Sequence, residues 1–241
     1  MGEVRMFRAL HHDRAPGDPL VLPGPWDAAS ARVFEEAGFP ALATPSAGVA
    51  ASLGYEDGST PAAEMFAAVT RIVRAVSVPV SADVESGYGL APKELVERVL
   101  ETGAVGVNLE DSVEGVLQDP RRHADRLAEV RAEAGDRLFI NARVDTFVRE
   151  AADPVAAAVN RARLYVAAGA DCVYPILAPV EALPELRAGI EGPINAAAHP
   201  SGVSLRSMGE AGATRITFGP GLQMGAMASL AEVARGLRSG L

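Results

Sequence analysis

Two carboxylates stand two residues apart in Val80-Ser-Ala-Asp-Val-Glu-Ser-Gly-Tyr-Gly89, where a β-branched run ends and glycines must turn the backbone. Asp83 and Glu85 are oxygen ligands of the kind a hard cation such as Mg²⁺ takes, leaving its other positions to water and substrate. More polar groups follow other apolar runs: Asp27; Thr44, Ser46 and Asp57; Asn108, Glu110 and Asp111; Arg143 and Asp145; Asn195 and His199. Carboxylates converging on one mouth repel each other unless a cation sits among them, so Asp83, Glu85 and Glu110 are expected to hold Mg²⁺ or Mn²⁺. Zinc fits less well: His11, His12, His123 and His199 lack metal-type spacing, and His11-His12 reads as a solvated pair. Arg143 can grip a substrate carboxylate or stabilise a developing enolate; the alternative is an ion pair with Asp145 or Glu110.

The elements that would position these groups alternate regularly. Strands are expected at Leu20–Leu22, Ala41–Thr44, Val78–Asp83, Val105–Leu109, Leu138–Ala142, Cys172–Ile176, Pro193–Ala196 and Thr214–Phe218. Helices are expected from Ala28 to Ala37, from Thr60-Pro61 to Val76, and from Pro92 to Glu101. Others follow from Arg121 to Ala134, from a cap at Asp153-Pro154 to Ala168, from Val180 to Ala188, after a Ser201 cap, and from Leu222 to Leu237. The segment between Thr44 and Gly58 reads as a long glycine-containing loop. Gly38, Gly103, Gly169 and Gly212 each end a helix shortly before a strand, where a left-handed cap lets the chain turn at once. Eight such units predict a single parallel, eight-stranded (β/α)₈ TIM barrel over residues 1–241, with 1–17 as an N-terminal extension. An open dinucleotide-binding sheet is disfavoured, because Pro23-Gly-Pro-Trp-Asp27 carries no G-x-G-x-x-G. In a barrel the loops after the strands build the site, and that is where the polar residues lie.

Composition sets outer limits. In 241 residues, 49% are hydrophobic and 22% charged, the balance of a globular chain with a large core. A net charge of −9 without a basic cluster argues against nucleic acid. The lone Cys172 cannot form an intrachain disulfide, the charged start from Met1 to Arg14 resembles neither signal peptide nor anchor, and no apolar run could span a membrane. A cytoplasmic protein is expected.

Four segments resemble successive motifs of the isocitrate lyase / phosphoenolpyruvate mutase superfamily: Ser46-Ala-Gly-Val-Ala-Ala-Ser-Leu-Gly-Tyr-Glu-Asp57, Ala82-Asp-Val-Glu-Ser-Gly-Tyr-Gly89, Gly106-Val-Asn-Leu-Glu-Asp111 and Asn141-Ala-Arg-Val-Asp-Thr146. The resemblance runs from about Val21 to Phe218 and implies a Mg²⁺-dependent barrel that makes or breaks a C–C or P–C bond beside a 2-oxo acid, through a metal-stabilised enolate. It places Asp83, Glu85 and Glu110 on the metal, Asp57 near the reacting group and Arg143 on substrate, with backbone amides around Ser46 and Ala47 binding its carboxylate. Trp26, Asp27, Thr44 and Asn195 complete the expected substrate contacts. It also implies a dimer or tetramer, with the stripe Met224, Met227, Leu230 and Val233 on the last helix as a packing face; ordinary packing on its own barrel is the alternative.

One segment departs from the pattern. The lyase branch carries a Lys-Lys-Cys-Gly-His type signature after strand four, and the mutase and hydrolase branch a Lys-Thr-Asn-Ser or related gate. Here Asp111-Ser-Val-Glu-Gly-Val-Leu-Gln-Asp-Pro-Arg-Arg122 has neither cysteine nor lysine, and Pro45 stands where relatives often have serine, removing a backbone donor. Cys172 reads as a buried hydrophobe. Glu114, His123, Tyr88 and His199 remain candidates for the general acid. The expected function is a lyase-type reaction on a small 2-oxo or 2-hydroxy carboxylate or phosphonate. Phosphonopyruvate hydrolase, phosphonomutase or oxaloacetate-type hydrolase chemistry is the alternative, and a catalytically silent barrel that binds a carboxylate is the non-enzyme one.

Overall fold

A computed structural model describes residues 2–12 and 14–240; Met1, Asp13 and Leu241, part of the expected 1–241 domain, lie outside the described residues. In chain order the elements are α1 (Glu3–Leu10), β1 (Leu20–Val21), α2 (Ala28–Glu36), β2 (Leu42–Ala43), α3 (Ser46–Leu53), α4 (Ala62–Val73), β3 (Val80–Asp83), α5 (Pro92–Thr102) and β4 (Gly106–Glu110). Then come β5 (Ser112–Val113), β6 (Val116–Leu117), α6 (Pro120–Ala134), β7 (Phe139–Val144), α7 (Pro154–Ala167), β8 (Cys172–Pro175), α8 (Leu183–Gly189), β9 (Asn195–Ala197), α9 (Leu205–Glu210), β10 (Arg215–Thr217) and α10 (Gly221–Ser239).

The expected parallel strands are present, in two hydrogen-bonded groups: β2-β3-β4-β7-β8 and β1-β10-β9. One parallel bridge, Val173 with Ile194, joins β8 to β9, and Ala43 N donates to Pro23 O at 3.2 Å between β2 and β1. The parallel strands of the expected eight-stranded barrel thus curl as two hydrogen-bonded sheets, linked sparsely at the seams among the described residues. The physical reason is proline: Pro23, Pro25, Pro45 and Pro193 flank the short strands at both seams and have no N–H to extend the pairing.

Alternation along the strands sorts the residues. Ala82, Val107, Leu109, Ile140, Ala142, Val173, Ala196 and Ile216 pack outward with helix residues such as Leu95, Leu127, Tyr165 and Leu186 in the main core. Leu20, Leu22, Ala41, Ala43, Phe139 and Cys172 form a second cluster, closed off by Phe7 of α1. The predicted extension 1–17 is thus a plug: Phe7 meets Phe139 edge-on at 5.2 Å, and His11 stacks on Phe139 at 4.2 Å. His11 is buried, not solvated as its pairing with His12 suggested; its Nδ1 lies 2.8 Å from Phe7 O, and burial lowers its pKa to about 3.

Three local expectations are corrected. The loop after β2 contains α3, because Ser-Ala-Gly-Val-Ala-Ala-Ser-Leu is rich in helix-compatible small residues. Its Gly48 serves close packing, since a Cβ there would lie 2.9 Å from Pro45 Cγ. Thr60 does not cap α4: Pro61 holds the cap position and Thr60 Oγ1 is buried without a partner. The cap of α9 is Ser204, whose side chain accepts from Ser207 N, whereas Ser201 binds His199 Nδ1. The four helix-ending glycines do adopt positive φ, from 81° at Gly103 to 122° at Gly212.

Candidate active site

Inward alternation carries Ser81 and Asp83 on β3, Asn108 and Glu110 on β4, Asn141 and Arg143 on β7, Tyr174 on β8, Asn195 on β9, and Arg215 and Thr217 on β10. Glu110 apart, these line a cavity of about 360 Å³ together with Thr44, Ser46, Ala47 and Asp57. Asp83 is its most heavily bonded acid. Its Oδ2 accepts from Ser46 N (3.2 Å) and Ser46 Oγ (2.9 Å), and its Oδ1 from Asn108 Nδ2 (2.9 Å) and Glu85 N (3.3 Å). Since α3 starts at Ser46, its positive N-terminal end faces this carboxylate. Thr44 Oγ1 accepts from Asp83 N at 3.1 Å and fixes the strand end.

The loop after β3 is bent sharply, with φ of 52° at Glu85 and 54° at Tyr88, a conformation that non-glycine residues adopt only when their surroundings enforce it. Both Glu85 Oε1 and the Tyr88 hydroxyl are buried without a hydrogen-bond partner among the described residues. Loss of water, then the charges of Asp83 and Asp57, push the Glu85 carboxyl up to about 7. Glu110 rises to about 8: burial outweighs the pull of Arg143 Nη1, 2.7 Å from Glu110 Oε2, and the charges of Asp83, Asp145 and Glu85 add to it. Asp57 is raised as well, by desolvation and then by Asp83.

Arg143 makes both of the ion pairs considered for it and also lines the cavity. Its Nε donates to Asp145 Oδ1 (2.6 Å) and its Nη2 to Asp145 Oδ2 (3.2 Å), while Nη1 faces Glu110. It is a shared clamp between two acids, and one face of its fork is already engaged. Among the described residues no group of three or more His, Cys, Asp or Glu side chains is arranged to cage an ion unaided.

Other expected site residues lie elsewhere. Asp27 caps α2, accepting from Ser30 N at 2.7 Å, and Trp26 packs edge-on with Phe34; neither lines the cavity. The segment after Glu110 is a β5–β6 hairpin with Glu114 and Gly115 at its turn, φ 49° and 79°, and Glu114 exposed. His123 is buried on α6 in a separate cavity with Glu110 and Arg126, where burial and then Arg126 lower its pKa to about 3. His199 is exposed. Cys172 is buried as expected, with its thiol pushed up to about 12 by burial. Sequence reading missed Ser81, Tyr174, Thr217 and Arg215 as cavity residues. The signal for Arg215 was a charge in the middle of the apolar run Thr214-Arg-Ile-Thr-Phe218, at an inward alternate position.

Parallel α/β sheets with acids and amides gathered at the strands' carboxyl ends define the class: an enzyme whose chemistry sits in the loops after the strands. A sequence profile of phosphoenolpyruvate phosphomutase matches residues 7–238, and the chain belongs to that family within the isocitrate lyase / phosphoenolpyruvate mutase superfamily, whose homologues are lyases and mutases. A crystal structure from Burkholderia cenocepacia J2315, provisionally named a phosphonomutase, is 40% identical, matches 97% of this chain and 99% of its own, and superposes with a TM-score of 0.90. An uncharacterised protein of Mycobacterium tuberculosis H37Rv is 34% identical over 236 residues, 97% of this chain and 89% of its own. The 2-methylisocitrate lyase of Bacillus subtilis strain 168 is 30% identical over 169 residues, 66% of this chain and 55% of the lyase, so this chain spans about half the lyase's length.

Proposed function

We propose that this chain is a divalent-cation-dependent enzyme that makes or breaks a C–C bond beside the carbonyl of a small 2-oxo acid, in a barrel closed by all eight parallel strands. The observation that carries it is a charge imbalance: Arg143 ion-pairs with Glu110 and Asp145, while Asp57, Asp83 and Glu85 beside them have no ion-pair partner among the described residues, and Glu85 Oε1 is buried unpaired. An oxygen-only donor set of this kind fits Mg²⁺ or Mn²⁺; Asp83, which lines the cavity, would hold it together with Glu85 and Glu110. When bound, the cation supplies positive charge beside the 2-oxo oxygen, where negative charge develops in the transition state. Ser46 and Asn108 hold the Asp83 carboxylate in place, Thr44 fixes its backbone, and Arg143 orients Glu110 and Asp145.

The 40% identical relative named as a phosphonomutase makes P–C chemistry on a phosphonate the second reading. An oxaloacetate-type hydrolase is a further variant, and a reducing cytoplasm suits the buried Cys172. Subunits would pair through α10, whose apolar stripe is exposed. The test is incubation of the protein with Mg²⁺, Mn²⁺ or EDTA and a panel of oxaloacetate, phosphonopyruvate and 2-methylisocitrate, read by NMR. Cation-dependent product from at least one is expected, abolished by Asp83→Ala. No turnover alongside cation-dependent ligand binding would leave a silent carboxylate-binding barrel in its place.

A further inference from the structure

Arg215 is a cation that the fold itself does not neutralise. It is 1% exposed, and its Nε and Nη1 have no hydrogen-bond partner among the described residues. A guanidinium stays charged in proteins, and a buried charge left unpaired is among the costliest arrangements a fold can carry. Its surroundings offer no close anion. Cys172 and Tyr174 are protonated by burial, His11 is neutral, and Asp83, a weaker influence on Arg215, makes no ion pair with it among the described residues. Burial accordingly lowers the proton affinity of Arg215, as expected for a cation stripped of water without compensation.

Two more unpaired atoms line the same cavity. Ser81 Oγ and Asn141 Oδ1 are buried without partners. The orientation of Asn141 is fixed by a chain of amides. Asp83 can only accept, so Asn108 must donate its Nδ2 to it, and Asn108 Oδ1 then accepts from Asn141 Nδ2 at 2.9 Å. The free end of that chain is an acceptor, Asn141 Oδ1. The deep cavity thus presents a free guanidinium, a hydroxyl and a bare acceptor, while Arg143 at the mouth is already clamped between acids.

We propose that Arg215 receives the far acid group of a small dianionic substrate, a carboxylate or phosphonate inserted between the strands below the carboxylate mouth, with Ser81 and Asn141 binding a hydroxyl or water beside it. This rests on the reading of the cavity as the substrate site and narrows it to acids charged at both ends. A planar guanidinium fork suits a carboxylate, and about 360 Å³ accommodates a short diacid.

Butyrate, succinate and 3-phosphonopropionate have similar length and differ at the far group, so calorimetric titration of the full chain in Mg²⁺ isolates that group. Succinate or 3-phosphonopropionate is expected to bind about 10- to 100-fold more tightly than butyrate, the range of a charge-assisted hydrogen bond, and the stronger of the two identifies the acid. Arg215→Gln should erase the preference. Should that variant not fold, Arg215→Lys keeps the charge, breaks the fork and should narrow the preference. Equal affinity of the wild type for succinate and butyrate overturns the proposal, as does an Arg215→Gln protein that still prefers the dianion. Failure of the turnover panel would leave this preference untouched, so the two readings fail separately.

Discussion

Glu85 and Glu110 carry the site's pH dependence. Both carboxyls are raised in the folded chain, to about 7 and about 8, chiefly by loss of water and then by neighbouring charges. In the unfolded chain a glutamate titrates near about 4.3. A raised folded pKa means that the native state binds the proton more tightly, so this stability is fully present below about pH 4 and is lost as pH rises towards 8. The cation-free protein should therefore lose melting temperature between pH 5 and pH 8, and added Mg²⁺ should restore it most at pH 8, where the carboxylates are free of protons. Differential scanning calorimetry at both pH values, with Mg²⁺ and with EDTA, measures it. A melting temperature that rises with pH in EDTA would refute the assignment of these shifts.

At the scale of elements, the β5–β6 hairpin follows Glu110 directly, and a buried acid at its base anchors it. Asp111 is 0% exposed and accepts from Tyr165 Oη (2.7 Å), Arg161 Nη1 (2.9 Å) and Asp145 N (2.9 Å), while Arg161 Nη2 donates to Gln118 O (2.8 Å). Breaking a buried pair by removing one partner leaves the other charge uncompensated, at about 3–5 kcal/mol. Arg161→Met should cost about that much in urea unfolding and speed cleavage by a glutamate-specific protease at Glu114; a loss under about 0.5 kcal/mol would show that the hairpin is held elsewhere. This anchor was not legible in the sequence, because it joins residues 50 positions apart and Asp111 reads there as one more site acid. What was legible came from local signals: period-two strands, proline and aspartate at helix starts, and glycines at helix ends, all found within a few residues of the expected positions. The plug α1, the α3 helix and the pairing of Arg143 with Glu110 and Asp145 depend on contacts across the fold, and periodicity along a chain does not report those.

For the whole molecule, α10 is the element the fold leaves unfinished. Nineteen residues run from Gly221 to Ser239, yet Gln223 is the buried one among them, and Met224, Met227, Leu230, Val233 and Leu237 are 43–71% exposed. Isolated exposed apolar residues are ordinary, but a stripe of five winding along one helix is a surface that association would bury. Packing on its own sheets, the alternative reading of that stripe, is thus not what the chain does. Burying a Leu or Met side chain gains about 1.5–3 kcal/mol, so five of them on each of two subunits would outweigh the cost of association. A second copy of α10 supplies the complementary surface if the subunits exchange or pair these helices. Light scattering should then give a mass that is a multiple of the monomer, and Met227→Glu with Leu230→Glu should return monomers whose melting temperature falls with dilution no further. The far end of α10 does not line the cavity, so a monomeric variant that keeps Mg²⁺ and dianion binding would assign the helix to assembly alone; a wild-type protein that scatters as a monomer at micromolar concentration would refute the pairing.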